Sequence, residues 1–303
     1  MPKEPYKLAF VTVNYNGIAD TKDFLASVER AQLSMEYVVV VIDNGSKQNE
    51  WEILKAEFPT IVGLRSADNL GFAGGNNLAL PLVDAEYFYF INNDTLLPID
   101  ADQQLKDMLS FLDNNPTVGG LSPKLMYVDE PNLIQFAGCT DLSPITIRNR
   151  QIGYQEVDQG QYQEITSVPY LHGAAMLIPN HVIKEIGPMP ELYFLYYEEL
   201  DWCYSITQKY HLYYYPNAYI RHKESASTGM NSPFKTYYLS RNRLIYAFRN
   251  RQGFTRIASI IYLIFVTFIH SLLLMVKGLW RNSKAMCKGM IDATCWMFAQ
   301  RNV

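Results

Sequence analysis

The sequence predicts an α/β protein, a mostly parallel, Rossmann-like sheet flanked by helices, followed by a C-terminal helical extension. Three observations carry this reading. Strand-type apolar runs alternate with helical stretches through the first hundred or so residues, which is the pattern of parallel βαβ units. The runs are apolar at consecutive positions, as in Val38–Ile42, and this suits strands covered on both faces. Past Pro233 the pattern is helical throughout. With 303 residues and 49% hydrophobic content, the chain can bury a substantial core, and disorder, collagen and a small disulfide scaffold are excluded.

In order, the first strand is Leu8–Val13, a helix covers 20–31, and Tyr37–Ile42 is the second strand, followed by a helix at 50–58. A short strand at Ile61–Arg65 leads through a Gly/Asn-rich turn into a helix near 73–82, and then to the strand Tyr87–Ile91. A helix at about 101–114 precedes the strand Val118–Leu121. The polar, Gln-rich stretch 122–168 reads as short hairpins and loops. Gly173–Ile178 is a strand, and a loop of Pro, Tyr and Phe runs into the helix Glu198–Tyr210. Aromatic strands near 212–215 and 218–221 precede helices at about 234–250, 255–280 and 283–299. The N-terminal MPKEPYKLAFVTVNYN has only a short, β-branched apolar run, so it reads as a strand and not as an export signal. Four cysteines without a CxxC pair suggest neither a zinc site nor disulfides, and fit a reducing cytoplasm.

Open α/β sheets bind ligands at the carboxyl ends of their strands, which here are Asn14–Gly17, Asp43–Ser46 and Asn92–Thr95. Asp43 is placed to accept from a nucleobase edge or a ribose hydroxyl, although DNGS is equally strong turn chemistry. In Asn69–Asn77, NLGFAGGNN, the glycines allow close backbone approach ahead of a helix start that suits phosphate, or simply form a left-handed turn. Neither GxGxxG nor a P-loop is present. Asn92-Asn93-Asp94 supplies one carboxylate and two amides, enough for a hard cation that keeps phosphate oxygens and water as its other ligands. FLYYEELDWC, Phe194–Cys203, gathers three acids among aromatics. On a helix Glu198 and Asp201 share a face, with Glu199 about 100° round. These acids complement the helix dipole, or, desolvated by the aromatics, supply a general base. His222 is a candidate metal or phosphate ligand.

The order VNYNG, IDNGS, NLGFAGGNN, NND, HGAAMLI, FLYYEELDWC and a His with a Ser three residues on resembles family 2 glycosyltransferases of the GT-A fold. Within them it is most similar to the rhamnosyltransferase-type branch of bacterial polysaccharide biosynthesis, which builds lipid-linked cell-surface and cell-wall glycans. The resemblance runs from about residue 7 to 250. It implies that Asn14, Asn16 and Asp43 meet the nucleobase and ribose, and that Asn69, Gly71, Asn76 and Asn93 complete the nucleotide-sugar contacts. It makes Asp94 the metal carboxylate and His222 the histidine that closes over diphosphate and metal. Glu199 stands where the family's catalytic base is usually Asp, with Glu198 and Asp201 as acids of the same motif. The first acid of the family's DxD is here Asn92, the usual Phe-Asp-Glu is Met189-Pro190-Glu191, and the Gly after the base helix is missing in QKYHLYYYP.

The implied reaction is an inverting transfer from a nucleotide-diphosphate sugar, dTDP-rhamnose or a UDP-hexose, to a hydroxyl of a polyprenyl-diphosphate-linked or glycan acceptor, assisted by Mg²⁺ or Mn²⁺. Two other readings fit parts of the sequence. A sugar-phosphate nucleotidyltransferase would need a Gly-rich, basic loop that VTVNYNGIAD lacks, and an inactive, glycosyltransferase-like binding protein is suggested by Asn92 and Glu199.

Charge divides the chain into a catalytic part, 1–224, and a basic extension, 225–303. The first holds 15 Lys/Arg against 29 Asp/Glu, and the second 11 Lys/Arg against Asp292 alone. Such a basic segment meets nucleic acid, anionic lipid or polyphosphate. The uncharged stretch Ile257–Val276 selects an anionic membrane surface over nucleic acid, since about 20 apolar residues match a bilayer. Cations flank it on both sides, so the positive-inside rule gives no orientation. The expectation is a helix lying in the interface on the cytoplasmic face of the plasma membrane, ahead of a span. A buried core helix, or one pairing two copies in a homodimer, is the alternative.

Overall fold

The structure is a computed structural model that describes residues 4–223 and 232–300. Its strands and helices begin with β1 (Tyr6–Asn14), α1 (Ile18–Arg30), β2 (Tyr37–Asn44), α2 (Glu50–Glu57), β3 (Val62–Ser66), α3 (Gly71–Asn77) and β4 (Ala85–Ile91). The short β5 (Thr95–Leu96), α4 (Ala101–Asn114), β6 (Val118–Tyr127), β7 (Leu133–Phe136), β8 (Glu156–Val157) and β9 (Thr166–Ser167) follow. The chain continues through β10 (Ala175–Pro179), α5 (Asn180–Ile186), α6 (Glu198–Thr207) and β11 (His211–His222) to α7 (Pro233–Asn250), α8 (Gly253–Val276) and α9 (Trp280–Gln300).

The apolar runs of β1 and β2 become the centre of the sheet, with Leu8–Val11 and Val40–Ile42 fully buried. The strand order is β3-β2-β1-β4-β10-β6-β11-β5. β1 pairs in parallel with β2 and β4, β2 with β3, and β6 with β11. Antiparallel β10 is wedged between β4 and β6, so the sheet is mostly parallel at its core with antiparallel insertions. From β1 the chain builds outward through β2 and β3, then returns to place β4 on the other side of β1. That reversal opens a crevice at the carboxyl ends of β1 and β4, and Asn14 and Asn92–Asp94 emerge there.

Several elements differ from expectation for identifiable reasons. β6 continues to Tyr127 because β11 pairs along its length and keeps it buried as far as Met126. The two aromatic strands are one, β11, whose register shifts between Tyr215 and Tyr219; Pro216 lies in that interval, and a bulge accommodates its missing N–H. The helix near 73–82 ends at Asn77, and a 3₁₀ turn at Leu80–Leu82 follows with a proline in its first turn. The seven-residue α5 occupies part of the loop ahead of Glu198, and it is too short for a helical period to show.

A second apolar cluster joins Ile147 and Tyr193 to Leu244, Ile245, Tyr246 and Ala247 of α7, Leu263 of α8 and Ala293 of α9. α9 lies close along α7, where a Cβ on Gly289 would come within 2.4 Å of Ser240 Oγ. The outer face of α8 is open, with Phe254, Ile257, Ile261, Phe265 and Leu273 all at least half exposed.

Candidate active site

At the end of β1, Asn14 is fully buried. Its Nδ2 donates to Glu50 Oε2 at 2.7 Å and to Ser46 Oγ at 3.3 Å, while its Oδ1 accepts from Thr21 Oγ1 at 2.7 Å. Asn16, exposed and with φ of 52°, accepts on Oδ1 from the Lys47 N–H and donates its own N–H to Ser46 Oγ. Asp43 is also fully buried. Oδ1 accepts from the Ser46 N–H and Oδ2 from the Trp51 N–H, each at 3.2 Å, with Arg65 Nε 3.5 Å away. Its carboxylate therefore closes the turn from β2 to α2, and contact with a nucleobase would require that turn to open. The exposed rim here is formed by Tyr15 and Asn16.

Asn69 Oδ1 accepts from the Gly71 N–H and from Asn44 Nδ2. Gly71 has φ of +74°, and a Cβ there would fall 2.0 Å from the Phe194 carbonyl oxygen, so only glycine fits this left-handed position. The next N–H, of Phe72, donates to that carbonyl at 2.8 Å. The glycine segment thus supports the loop before α6. Asn76 is buried and its Nδ2 donates back to the Phe72 carbonyl, within α3. Asn93 Nδ2 donates to Thr21 Oγ1 at 2.9 Å, tying the end of β4 to α1.

Asp94 and His222 meet across the crevice, with Oδ1 and Nε2 3.2 Å apart. His222 Nδ1 lies 2.6 Å from Gln135 Oε1. That oxygen only accepts, so Nδ1 carries a proton toward Gln135, and Nε2 is the nitrogen that faces Asp94. Asn92 Nδ2 is 3.4 Å from the same nitrogen, and Asp94 Oδ1 is buried without a hydrogen-bond donor. A buried Asp94 oxygen without a donor, beside a histidine nitrogen that is a metal ligand when neutral, fits a divalent cation. Among the described residues no cluster of three or more His, Cys, Asp or Glu side chains forms. A cation here would take two protein ligands, leaving the other positions to diphosphate oxygens and water. The Ser three residues after His222 lies outside the described residues.

Glu198, Glu199 and Asp201 have distinct environments. Asp201 is buried, with Oδ2 2.7 Å from Arg249 Nε and Oδ1 accepting from Asn250 Nδ2 at 2.9 Å, so it pins α6 to the end of α7. Glu198 is buried, and both burial and the neighbouring Glu199 push its carboxyl well above the usual range. Glu199 remains partly exposed and lies against Gly173, whose Cβ would sit 3.7 Å from Glu199 Cγ. Burial pushes Glu199 up to about 7, against the opposing pull of backbone N–H groups at the helix start, and this is the range for a base working near neutrality. Through Ala174, whose carbonyl accepts from the Asn92 N–H at 3.1 Å, the Gly173 segment links Glu199 to the Asp94–His222 pair.

The loop ahead of these acids is strained. Phe194, Tyr196 and Tyr197 adopt φ of 67°, 67° and 78°, and each such bulky residue costs on the order of 1–3 kcal/mol. Asn242 of α7, fully buried, holds the loop by donating from Nδ2 to the carbonyls of Tyr193, Leu195 and Tyr196 at 2.8–2.9 Å. Arg241 donates to the Leu192 carbonyl at 3.1 Å. Sequence reasoning missed Asn242 and Gln135. An Asn in a polar helical stretch looks like an exposed position, and Gln135 lies in a region without periodicity. We predict that Asn242→Ala costs on the order of 2 kcal/mol, lowering Tm by about 3 °C. The freed loop also lets water reach Glu199, so its carboxylate titration, followed by NMR, moves from about 7 toward the ordinary carboxylate range; an unmoved titration would rule out the clamp.

The family described as Glycosyl transferase family 2 matches residues 9–171. The low-salt glycan biosynthesis hexosyltransferase Agl10 of Haloferax volcanii is 24% identical over 206 residues, which are 67% of this chain and 62% of that protein, so the match spans less than two thirds of that relative. Residues 1–349 of S. aureus TarS superpose with a TM-score of 0.55 at 16% identity, covering 86% of this chain and 72% of that one. The mannosyltransferase PcManGT of Pyrobaculum calidifontis, solved in complex with GDP-Man and Mn²⁺, gives 0.57 at 14% identity over 97% and 76% of the two chains. These likenesses show the GT-A fold. Since the family match covers more than half of the chain, the protein belongs to glycosyl transferase family 2.

Proposed function

We propose that the protein is an inverting glycosyltransferase that moves a hexose or rhamnose from a nucleoside-diphosphate sugar to a hydroxyl of a lipid-linked glycan at the cytoplasmic face of a membrane. The observation that carries this reading is the carboxylate of Glu199, pushed up to about 7 and joined through Gly173 and Ala174 to the Asp94–His222 pair. Support for a nucleotide-sugar donor comes from the complexes of TarS with UDP-GlcNAc and of PcManGT with GDP-Man and Mn²⁺. dTDP-rhamnose and UDP-hexoses are the donors to test first.

Glu199 takes the acceptor's proton as the hydroxyl oxygen attacks the anomeric carbon. The bond from that carbon to the diphosphate oxygen breaks, and the single displacement inverts the centre. Asp94 and His222 Nε2 would hold Mg²⁺ or Mn²⁺, which when bound offsets charge on the departing diphosphate. Gln135 orients the His222 ring through Nδ1, and burial with the neighbouring Glu199 pushes the Glu198 carboxyl well above the usual range.

The membrane reading rests on the C-terminal helices. α8 is long and apolar enough to cross a bilayer, and 17% of its apolar window is buried inside the protein. Its neighbours favour lying flat. Asn282 Nδ2 donates to Thr236 Oγ1 at 3.0 Å near the start of α7, and Trp296 meets Phe248 with ring centroids 5.8 Å apart near its end. α9 therefore runs alongside α7, and Ser271 of α8 bonds Ser283 of α9 at 2.8 Å. A spanning α8 would drag α7, with its arginines and its clamp on the base loop, into hydrocarbon. In the interface plane, α8 buries its open apolar face while the cations around it meet anionic headgroups.

Glu199→Gln should lower transfer by about 10²–10⁴-fold with donor affinity within twofold, read by steady-state kinetics and calorimetry. Wild-type kcat/KM should fall about tenfold per pH unit below about 7, because the base must be ionised. The raised carboxyl adds stability that is complete below its unfolded value of 4.5 and is lost as pH rises through about 7; Glu199→Gln should therefore unfold at higher Tm than wild type at pH 8 but not near pH 4.5. An unchanged acid limb in an active Glu199→Gln would transfer the base role elsewhere. Asp94→Asn should remove the Mn²⁺-dependent part of donor binding, and donor affinity still abolished by EDTA in that variant would place the cation at other residues. Full-length protein should co-sediment with phosphatidylglycerol vesicles, more weakly with Phe265→Asp; indifference to vesicles would remove the membrane assignment and leave the transferase reading standing.

A further inference from the structure

The segment His172-Gly173-Ala174 joins the Asp94–His222 pair to Glu199, and its backbone is anchored on both sides. The Ala174 carbonyl accepts from the Asn92 N–H at 3.1 Å, and the Ala175 N–H donates to the His172 carbonyl at 2.9 Å. The His172 N–H donates to Ser122 Oγ at 3.0 Å, and that hydroxyl donates to the Ala175 carbonyl at 2.6 Å. β6 and the end of β4 therefore hold the segment in place.

The His172 ring is fixed as well. Its Nδ1 accepts from the Ala174 N–H at 3.2 Å. A backbone N–H only donates, so Nδ1 carries no proton and the ring's single proton is on Nε2. The ring packs on Phe136, with centroids 5.1 Å apart, and stands T-shaped to the ring of His222 at 6.2 Å. His172 is only partly buried, and among the described residues nothing accepts from Nε2, which is open to solvent. The ring is thus held in one orientation and one tautomer for a hydrogen bond that the protein itself does not complete.

Its two neighbours identify the missing partner. The donor's diphosphate belongs to the Asp94–His222 side, and the acceptor hydroxyl to Glu199. The transferred sugar has to bridge them, because its anomeric carbon is bonded to the diphosphate on one face and attacked on the other. Room for a ligand shows at Gly173, which is partly exposed. A Cβ there would have only Glu199, at 3.7 Å, and Phe72, at 3.9 Å, within contact distance, so the glycine leaves a gap between these two side chains without being needed for the backbone. We propose that His172 Nε2–H donates to a hydroxyl oxygen of the transferred sugar and so helps to select the donor. This rests on the nucleotide-sugar reading and adds the contact that distinguishes a nucleotide sugar from its bare nucleotide. A site built to donate to a sugar hydroxyl rejects a ligand that lacks it, because the buried side of the bond is then left unpaired.

The test is calorimetry on the full-length protein with Mn²⁺, comparing dTDP-rhamnose, UDP-glucose and UDP-galactose with free dTDP and UDP, so that no transfer is needed. Two replacements separate a substrate contact from a structural one. His172→Asn sets its amide where Nδ1 stands, which keeps an acceptor for the Ala174 N–H but does not reach the Nε2 position. His172→Gln carries an N–H near the Nε2 position and gives up the bond to Ala174. For the nucleotide sugar that wild type binds most tightly, His172→Asn should weaken binding about tenfold and His172→Gln less than about threefold, with free-nucleotide affinity within about twofold in both. A purely structural histidine predicts the reverse order, Asn milder than Gln, and that order would overturn the proposal. Equal weakening of nucleotide sugar and free nucleotide, in a variant with the Tm of wild type, would overturn it by assigning Nε2–H to a phosphate. Wild type that binds none of these ligands would remove the donor reading and the proposal together. Wild type that binds them, with both variants unaffected, would remove the proposal alone.

Discussion

Three backbone carbonyls of one strained loop end on a single buried amide, Asn242 Nδ2. The rest of the site depends on that constraint. Left-handed backbone at Phe194, Tyr196 and Tyr197 is a conformation that aromatic residues leave unless something holds them. The loop is gripped from both sides: Asn242 and Arg241 take its carbonyls from the helical extension, and the Phe72 N–H takes the Phe194 carbonyl from the glycine segment. Because Gly71 has no Cβ, the glycine turn and the loop ahead of Glu198 lie in direct contact, so both are positioned by one interface.

Burial then differentiates the acids that the loop delivers. Asp201 receives a guanidinium and an amide and becomes structural. Glu198 keeps one buried oxygen, Oε2, without a partner, and burial with the neighbouring Glu199 pushes its carboxyl well above the usual range. Glu199, partly exposed beside Gly173, is the one that burial pushes up to about 7. Helical spacing alone separates Glu199 from the other two by face, but only the partners on α7 show that Asp201 is already neutralised.

How far the sequence could be read follows from the range of the interactions involved. Val38–Ile42 declares a doubly covered strand locally, and the positions of Asn14 and Asp94 at strand ends follow from alternation alone. Asp43 is legible in the sequence both as a site residue and as a turn residue. Its burial against Ser46, Trp51 and Arg65 is decided by how α2 and β3 pack, which no short window contains. Gln135 and Asn242 act across 87 residues and across 46–49 residues of sequence. Neither carries a pattern, because an amide that satisfies distant carbonyls looks like any polar residue of its own segment.

The same long-range contacts change what the basic extension is for. Its charge and its apolar helix announce a surface-binding appendage, yet α7 carries the clamp of the base loop and the partner of Asp201. α8 rests, through Ser259 and Pro144, on the hairpin closed by the Cys139–Gln151 bridge. Whatever α8 lies against is therefore connected, through the hairpin and α7, to the loop that carries Glu199. On the proposed reading, a hydroxyl tethered to a surface would meet a Glu199 whose distance from that surface is set by the packing of α7, α8 and the hairpin together.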